Sequence, residues 1–214
     1  MEIKIEDSVK GVRIISGDEA KLRRIELNKL INLAEINGFS EIILPLIEPA
    51  KVYTDKAGDE VLGQMYNFPD KKGRELCLRP EGTATIQLIA DKHYKTQKDV
   101  MFWYFTRCYR YERPQEGRYR EFFQFGVEWI NPSDPKSAKK KLIGMAKIMT
   151  YSITDRVINK SVKRGLGYYT ENGFEIESPS LGAQKQICGG GSYEQGTGFA
   201  LGFDRLLIAK ERQV

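Results

Sequence analysis

The chain has 214 residues, of which 41% are hydrophobic and 29% charged, and its formal net charge is +5. This composition predicts a globular protein with one sizeable core and excludes wholesale disorder. The longest apolar runs are too short to span a membrane, and three scattered cysteines with a single histidine provide neither a disulfide framework nor a zinc-ligand spacing. We therefore expect no membrane partner, a reduced cytoplasmic setting, and a polyanionic ligand such as ATP or RNA.

A long helix and an interrupted strand are predicted in the N-terminal quarter, after a short strand at residues 11–15. Apolar residues recur at near-helical spacing from Asp18, which can cap the helix, to the stop signal at Asn37 and Gly38. Residues 41–48 have the composition of a strand. Because Pro45 cannot donate to a ladder, this strand should lie at a sheet edge or contain a bulge.

Residues 49–74 are predicted to be loops with short helical pieces, one of them within 51–63. A short strand at 76–79 precedes a break at Pro80 and Gly82 and a helix from about 84 to 91. Glu81 and Thr83, beside the helix N-terminus, can bind a cationic, hydrogen-bonding ligand group. The alternative is that these two side chains only cap the helix.

The most informative stretch is a predicted hairpin whose strands, 102–111 and 122–130, flank a turn containing Pro114 and Gly117. Strand alternation places aromatic and aliphatic residues of 123–129 on one face and Gln124 and Glu128 on the other. Five arginines and no lysine occur in residues 105–128, a composition that favours bidentate recognition of phosphate or carboxylate. A solvated, salt-bridged hairpin face is the alternative.

The C-terminal half is predicted to contain a helix from Pro135 to about residue 159, then strands at 164–170 and 173–177. A further strand at 184–188 should lead to the three glycines 189–191, where the backbone can turn tightly or approach a ligand closely. Residues 198–207 should enter a final helix, with glycines four apart on one face and Arg205 near that face. Mixed strands and flanking helices indicate the α+β class.

Several stretches, in order, resemble the histidyl-tRNA synthetase family of class II aminoacyl-tRNA synthetases. LRPEGTA at 78–84 resembles the histidine-binding loop, RYERPQ at 110–115 with Gly117, Arg118 and Phe122 resembles motif 2, RGLGYYT at 164–170 resembles the signature RGLDYYT, and GTGFALGFDRL at 196–206 resembles motif 3. The helix and strand at 18–48 resemble motif 1, the dimer interface. The resemblance implies a class II synthetase-like antiparallel sheet flanked by helices, with residues 1–214 forming a single catalytic domain that lacks the insertion and anticodon-binding domains.

The resemblance also implies roles for individual residues. Arg110 and Arg164 would hold the α-phosphate of ATP and Arg205 its γ-phosphate, as the catalytic residues, while Glu112 and Arg113 would contact the adenine. The positions that match the histidine pocket are Glu81, Thr83, Gln124, Glu128, Tyr168 and Tyr169. Magnesium would bridge the phosphates, and no protein metal site is expected.

The implied function is ATP-dependent activation of histidine to histidyl-adenylate by a homodimer, with transfer to tRNA through a motif 2 loop, 115–118, that contacts the acceptor end. Two alternatives remain: a histidine sensor similar to the regulatory subunit of ATP phosphoribosyltransferase, and a ligase that transfers an amino acid to a carrier other than tRNA. Three positions depart from the family pattern. Gly167 replaces an aspartate of the signature, Ser192 replaces an arginine, and Asp204 stands where motif 3 has glutamate, a shortening expected to relax the ATP site.

Overall fold

The structure is a computed structural model that describes residues 9–54, 59–162, 167–182 and 184–213. The helices are α1 (Gly17–Ile36), α2 (Lys51–Thr54), α3 (Asp59–Leu62), α4 (Thr83–His93), α5 (Pro135–Met149) and α6 (Phe203–Glu211). The strands are β1 (Ser40–Glu41), β2 (Ile47–Pro49), β3 (Tyr66–Pro69), β4 (Glu75–Leu78), β5 (Val100–Tyr109), β6 (Glu121–Ile130), β7 (Val157–Val162), β8 (Gly173–Glu177), β9 (Gln186–Tyr193) and β10 (Gly196–Gly202). In the described part of the chain, no helix has the length and apolar character needed to cross a membrane.

The strands form two sheets. A seven-stranded sheet has the order β1-β5-β6-β10-β9-β8-β7, and only the short β1 runs parallel to its neighbour. A smaller antiparallel sheet has the order β2-β4-β3. The predicted α+β class, with a mostly antiparallel sheet flanked by helices, is confirmed.

The two faces of the large sheet differ in chemistry, as the alternation along the hairpin predicted. On one face, aromatic and aliphatic side chains of β5, β6 and β10 pack under α1, α5 and α6 in the main hydrophobic core. Trp103 lies opposite Val127 and Phe105 opposite Phe125 across the β5–β6 ladder. The other face carries Thr106 and Gln124, which are also paired, and it is this face that remains open to form a cavity.

Close packing on the open face requires glycine. Tyr104 is fully buried and pairs with Gly126 across the ladder, so a Cβ at position 126 would lie 2.0 Å from the tyrosine ring. A Cβ at Gly198 of β10 would lie 1.7 Å from a carboxylate oxygen of Glu128. Both separations are far below van der Waals contact, so these glycines make room for the ring and the carboxyl group.

The sequence predicted one strand over the apolar segment 41–48, but the structure has two. The segment divides into β1, at the edge of the large sheet, and β2, at the edge of the small sheet. Between them Pro45 cannot donate a hydrogen bond, and its carbonyl accepts one from the buried side chain of Arg79. The prediction of an edge position is confirmed, whereas the prediction of a single strand is wrong.

The helix predicted from Pro135 to residue 159 ends at Met149. Thr150 folds its hydroxyl back onto the carbonyl of Ala146, and a turn follows. Arg156 donates to the carbonyls of residues 150, 151 and 153, so a side chain satisfies acceptors of the turn that follows the helix. The apolar residues after Met149 that extended the predicted helix instead lead into strand β7.

Other boundaries were also mispredicted. Glycines 189–191 lie within β9, and Gly198 and Gly202 lie in β10, so the final helix begins only at Phe203. Residues 12–15 form no strand, and β3 was not predicted. The predicted strand at 164–170 falls partly on residues 164–166, outside the described residues; Gly167 and Tyr168 form a turn, and Tyr169 makes a single bridge with Tyr193.

The remaining elements lie close to their predicted positions. Helix α1 begins at Gly17 after Ser16, so Asp18 lies in its first turn rather than at the cap. Strand β4 and helix α4 begin within a residue of the prediction. The helical pieces expected within 51–63 are α2 and α3, with residues 55–58 outside the described ranges.

We predict that Gly126→Ala lowers the free energy of unfolding by about 1–3 kcal/mol, because the new methyl group overlaps the Tyr104 ring and forces a shift in the packed core. Urea denaturation monitored by circular dichroism measures this change.

Gly144→Ala is the matched control. Gly144 lies in α5, and apart from its chain neighbours and the backbone of its own helix, no atom lies within 4 Å of the place that an added methyl group would occupy. Alanine also favours a helix over glycine by up to about 1 kcal/mol. This variant should be as stable as the unmodified protein or more so. An unchanged stability of Gly126→Ala would contradict the proposed overlap.

Candidate functional site

A cavity of about 330 Å³ opens on the polar face of the large sheet. The motif 2 hairpin, the start of α4, strands β8 to β10 and the start of α6 contribute to its walls. Its lining residues include Glu81, Thr83, Arg110, Glu112, Arg118, Gln124, Tyr168, Tyr169, Glu175, Gln184, Gln186, Asp204 and Arg205. The cavity therefore collects groups from stretches separated by more than a hundred residues.

One part of the cavity, at the start of α4, is acidic. We call Glu81, together with Glu128 beneath it, the acidic group. The Glu81 carboxylate accepts hydrogen bonds from the backbone N–H groups of Thr83 at 2.7 Å and Ala84 at 2.8 Å. The helix-capping role that the sequence offered as an alternative is therefore real. Glu81 also lines the cavity, so capping fixes the orientation of a carboxylate that a ligand can reach.

Glu128 lies beneath Glu81, fully buried. Its carboxylate accepts a hydrogen bond from the Thr83 hydroxyl at 2.8 Å and another from the Tyr193 hydroxyl at 3.0 Å. Burial raises the pKa of Glu128 to about 8; the two hydrogen bonds oppose this shift, and the charge of Glu81 adds to it. Burial raises the pKa of Glu81 as well, against the hydrogen bonds from residues 84 and 83 and the nearby Arg110.

Aromatic rings complete the acidic group. Tyr168 and Tyr169 line the cavity with ring centroids 4.7 Å apart, and Tyr168 meets Tyr193 edge to face at 6.5 Å. Burial, together with the charge of Glu81, raises the pKa of Tyr168, so its hydroxyl keeps its proton. Neutral tyrosines beside carboxyl groups form a pocket suited to a small cationic or hydrogen-bonding ring.

A second group of lining residues, the arginine group, consists of Arg110, Arg118 and Arg205. The guanidinium of Arg205 donates to the carbonyls of Gly117 at 2.7 Å and Gln186 at 3.0 Å, and to the side chain of Gln184 at 2.9 Å. Burial, and then the neighbouring charges of Arg110 and Arg118, lowers the pKa of Arg205 to about 10. Three guanidinium groups thus converge on one part of the cavity.

Arg110 is the member of the arginine group that lies beside the acidic group. Its Nε donates to the carbonyl of Pro80 at 3.0 Å, next to Glu81, and its charge acts on the pKa of both Glu81 and Arg205. Glu112 pairs with Arg118 across the motif 2 turn. The cavity is therefore acidic and aromatic at one part, cationic at another, and bridged by Arg110.

Most of the predicted site residues that the structure describes are brought together. Those that line the cavity are Glu81, Thr83, Arg110, Glu112, Gln124, Tyr168, Tyr169 and Arg205. Glu128 supports the lining from below through Thr83. Arg113 is exposed and does not line the cavity, and Arg164 lies outside the described residues, so both roles stay predictions.

Sequence reasoning missed several lining residues. Arg118 was assigned only to a loop facing tRNA, although its position among five arginines marked it as a candidate for the anion site. Glu175, Gln184 and Gln186 carry no signal in the sequence, because only the pairing of β8 and β9 with the motif 3 strand brings them to the cavity. Tyr193 does not line the cavity but supports it through its hydrogen bond to Glu128, and its place just after the glycine run in the sequence is a signal that could have indicated it.

The antiparallel sheet, the motif 2 hairpin and the arginine of motif 3 over one cavity define the catalytic core of a class II aminoacyl-tRNA synthetase. A sequence model of the family described as "Histidyl-tRNA synthetase" matches residues 11–158, more than half of the chain. The chain belongs to the histidyl-tRNA synthetase family.

Individual relatives agree with this assignment. A histidine–tRNA ligase of Archaeoglobus fulgidus is 29% identical in an alignment over 306 residues that covers 94% of this chain and 75% of the relative. The apo histidyl-tRNA synthetase of S. aureus superposes with a TM-score of 0.75 at 27% identity, covering 98% of this chain and 70% of that one. A Bacillus halodurans protein named as an ATP phosphoribosyltransferase regulatory subunit/histidyl-tRNA synthetase shares the fold, with a TM-score of 0.78, 16% identity, and coverage of 95% and 82%.

The buried carboxyl of Glu128 predicts a pH-dependent stability. Its pKa rises from an ordinary 4.5 to about 8, so between these values the folded protein retains a proton that the unfolded chain has released. This contribution to stability is complete below pH 4.5 and is lost as the pH rises towards 8. Glu128→Gln, which cannot ionise, should therefore gain at least about 1 kcal/mol relative to the unmodified protein between about pH 5 and pH 9, measured by chemical denaturation at each pH.

Glu194→Gln provides the control, because Glu194 is an exposed carboxylate on the β9–β10 turn. Its stability relative to the unmodified protein should not change with pH. If the difference in free energy of unfolding between Glu128→Gln and the unmodified protein is also constant from about pH 5 to pH 9, Glu128 is not protonated in the folded protein over this range.

Proposed function

We propose that this chain binds ATP and histidine and forms histidyl-adenylate, as one catalytic domain. The observation that carries this proposal is the convergence of Arg110, Arg118 and Arg205 in a cavity whose adjoining part is acidic and aromatic. Membership in the histidyl-tRNA synthetase family supports the choice of histidine as the amino acid.

The arginine group supports a site for a polyanion. Like charges held close together in a partly buried cavity repel one another, which is why the charges of two arginines contribute to the low pKa of Arg205. A triphosphate offers acceptors for several guanidinium groups and removes this repulsion. The polar contacts of Arg205 with Gly117, Gln186 and Gln184 fix its guanidinium before the nucleotide binds.

The acidic group supports a site for an amino acid with a basic side chain. Glu81 can accept from an ammonium or imidazole N–H, while neutral tyrosine hydroxyls can bind a ring nitrogen. Arg110 lies between this group and the other arginines, where the amino-acid carboxylate would meet the α-phosphate. As that carboxylate attacks, pyrophosphate leaves and charge grows on the phosphate oxygens, so positioning and electrostatic stabilisation account for most of the catalysis.

Magnesium would enter with the nucleotide. Among the residues the structure describes, there is no group of three or more histidine, cysteine, aspartate or glutamate side chains suited to a metal ion. Phosphate oxygens would thus supply most ligands, and Glu175 is a cavity-lining carboxylate that fits a hard cation. The ion would neutralise phosphate charge.

We further propose a homodimer formed through α1 and the segment that follows it. The exposed fractions of Ile36 and Ile43 are 80% and 86%, and Leu22, Ile25, Leu46 and Ile47 are also exposed. Several exposed aliphatic side chains on α1 and on the segment that follows it support an interface with a second copy. Transfer of histidine to the acceptor end of tRNA near residues 115–118, in the cytoplasm, is the finer part of this proposal.

A histidine sensor remains a second candidate, because the fold is shared with a protein whose name includes the regulatory subunit of ATP phosphoribosyltransferase. A sensor requires the acidic and aromatic group but not the three arginines. Histidine-dependent ATP–pyrophosphate exchange discriminates between the two functions. Exchange supports adenylate formation, whereas histidine binding without exchange supports the sensor.

We predict that Arg110→Ala reduces histidine-dependent exchange by at least about a hundredfold, because it removes a fixed donor from the position where negative charge develops. The exchange rate with labelled pyrophosphate measures this loss.

Arg107→Ala is the matched control on the same hairpin. The Arg107 side chain is 59% exposed and lies over the Phe123 ring rather than in the cavity, so exchange should stay within about twofold. Near-normal exchange by Arg110→Ala, with an unchanged melting temperature, would exclude the proposed role of Arg110.

We predict that Ile43→Asp shifts the protein from dimer to monomer in sedimentation velocity, because a buried unpaired charge would oppose the interface. The comparison is Ile148→Asp, which alters an exposed aliphatic residue of α5 and should leave the mass unchanged. If all three proteins sediment with the mass of a dimer, the interface lies elsewhere; if all three sediment as monomers, the proposed homodimer is excluded.

A further inference from the structure

Asp204 sits directly before the cavity arginine Arg205, at the start of α6, and its side chain is only 5% exposed. One carboxylate oxygen accepts hydrogen bonds from Arg13 at 2.8 Å and Arg23 at 2.9 Å. The other accepts from the backbone N–H of Phe123 at 2.8 Å. Four separate segments of the chain therefore meet at one carboxylate.

The contact with Phe123 compensates for the end of a strand. The β6–β10 ladder ends at the pair of Gln124 and Gly202, because the chain enters α6 at Phe203. The next N–H of β6 on that side would lack a backbone acceptor, and the Asp204 carboxylate supplies one. Gln124, which lines the cavity, and Arg205 are thus held in register by a single side chain.

The two arginines anchor this carboxylate from behind. Arg23 projects from α1 and packs against the rings of Phe123 and Phe203 at 5.0 Å and 5.1 Å. Arg13 lies in the segment before α1, with its guanidinium 3.9 Å from the centre of the Tyr119 ring. Tyr119 lines the cavity, so the segment before α1 also supports the motif 2 loop.

We propose that Asp204, anchored by Arg13 and Arg23, is a positioning residue that orients Arg205 and the motif 2 hairpin for the nucleotide. This inference rests on the proposed function. It assigns a role in the ATP site to two arginines outside the cavity that receives the nucleotide. The acidic group of Glu81, which precedes α4, and Glu128 has no direct contact with Asp204, which reaches the amino-acid site only through Phe123 and the adjacent Gln124. Histidine binding should therefore depend on Asp204 much less than MgATP binding does.

The test is calorimetric titration of MgATP and of histidine into the purified protein and its variants. Asp204→Asn keeps an acceptor for Phe123 but presents an N–H₂ group that opposes the arginine donors. It should weaken MgATP binding at least about tenfold, because a displacement on the order of 1 Å at a binding group has effects of this size or larger. The dissociation constant for histidine should stay within about twofold.

Arg23→Met and Arg24→Met form a matched pair. Methionine retains an apolar stem beside the two phenylalanine rings, whereas Arg24 is the exposed neighbour on the same helix. MgATP binding should weaken in Arg23→Met and remain unchanged in Arg24→Met.

A double-mutant cycle separates positioning from general stability. Because Asp204 is proposed to act through Arg205 as well as through the hairpin, Asp204→Asn should weaken MgATP binding much less in the Arg205→Ala background than in the unmodified protein. Additive losses, or equal weakening of ATP and histidine binding, would overturn the inference. MgATP binding by Asp204→Asn equal to that of the unmodified protein would also overturn it while leaving the proposed function intact. Failure of the unmodified protein to bind MgATP would overturn both.

Discussion

The buried guanidinium of Arg79 joins the two sheets, and the position of the candidate site depends on it. Arg79 is 2% exposed, and its side chain donates to the carbonyls of Pro45 and Arg107 and to the hydroxyl of Thr106. Its backbone N–H donates to Leu46, and its carbonyl accepts from Tyr109. A buried cation is tolerated only when most of its donors are bonded. Both terminal nitrogens of the Arg79 guanidinium are bonded, while its Nε has no hydrogen-bond partner. Here that requirement fixes the end of β4 against β5, and the next residues are Pro80 and Glu81 of the cavity.

This arrangement explains why one cavity can hold groups of opposite charge. The acidic group lies between β4 and α4, and the arginine group lies on the hairpin and at the start of α6. The contacts of Arg79 set the distance between these two sets of elements. Arg110 follows β5 and bonds to the carbonyl of Pro80, so it is held by both. In the described part of the chain, Glu112 and Arg118 pair across the hairpin turn, but neither Glu81 nor Arg205 forms an ion pair. Instead Glu81 is held by backbone N–H groups, and Arg205 by carbonyls.

The sequence was a better guide to the site than to the elements that carry it. The alternation of 123–129 placed Gln124 and Glu128 on the polar face correctly, because period two is a property of any strand whatever its neighbours. The glycines of β9 were placed beyond a strand end and those of β10 in a helix, because glycine has little local preference and these positions are set by distant neighbours such as Phe174, Tyr169 and Glu128. The helix after Pro135 was extended too far for a related reason. Its apolar residues continue at helical spacing, and only the side chain of Arg156 shows where the chain turns.

The three residues that depart from the family pattern differ in where they lie relative to the cavity and in what they contact. Gly167, which replaces an aspartate, is exposed in a turn and does not line the cavity, whereas Glu81, Thr83 and the two tyrosines do. Ser192 lies on β9, where its carbonyl accepts from Thr170 and holds the segment that carries the tyrosines. Asp204, in contrast, is hydrogen-bonded through both oxygens despite its shorter side chain; the relaxed ATP site that the resemblance implies stays a prediction. Two of the three departures therefore lie outside the cavity lining, and the third, Asp204, has both oxygens bonded, so the groups that line the cavity are held in place despite all three changes.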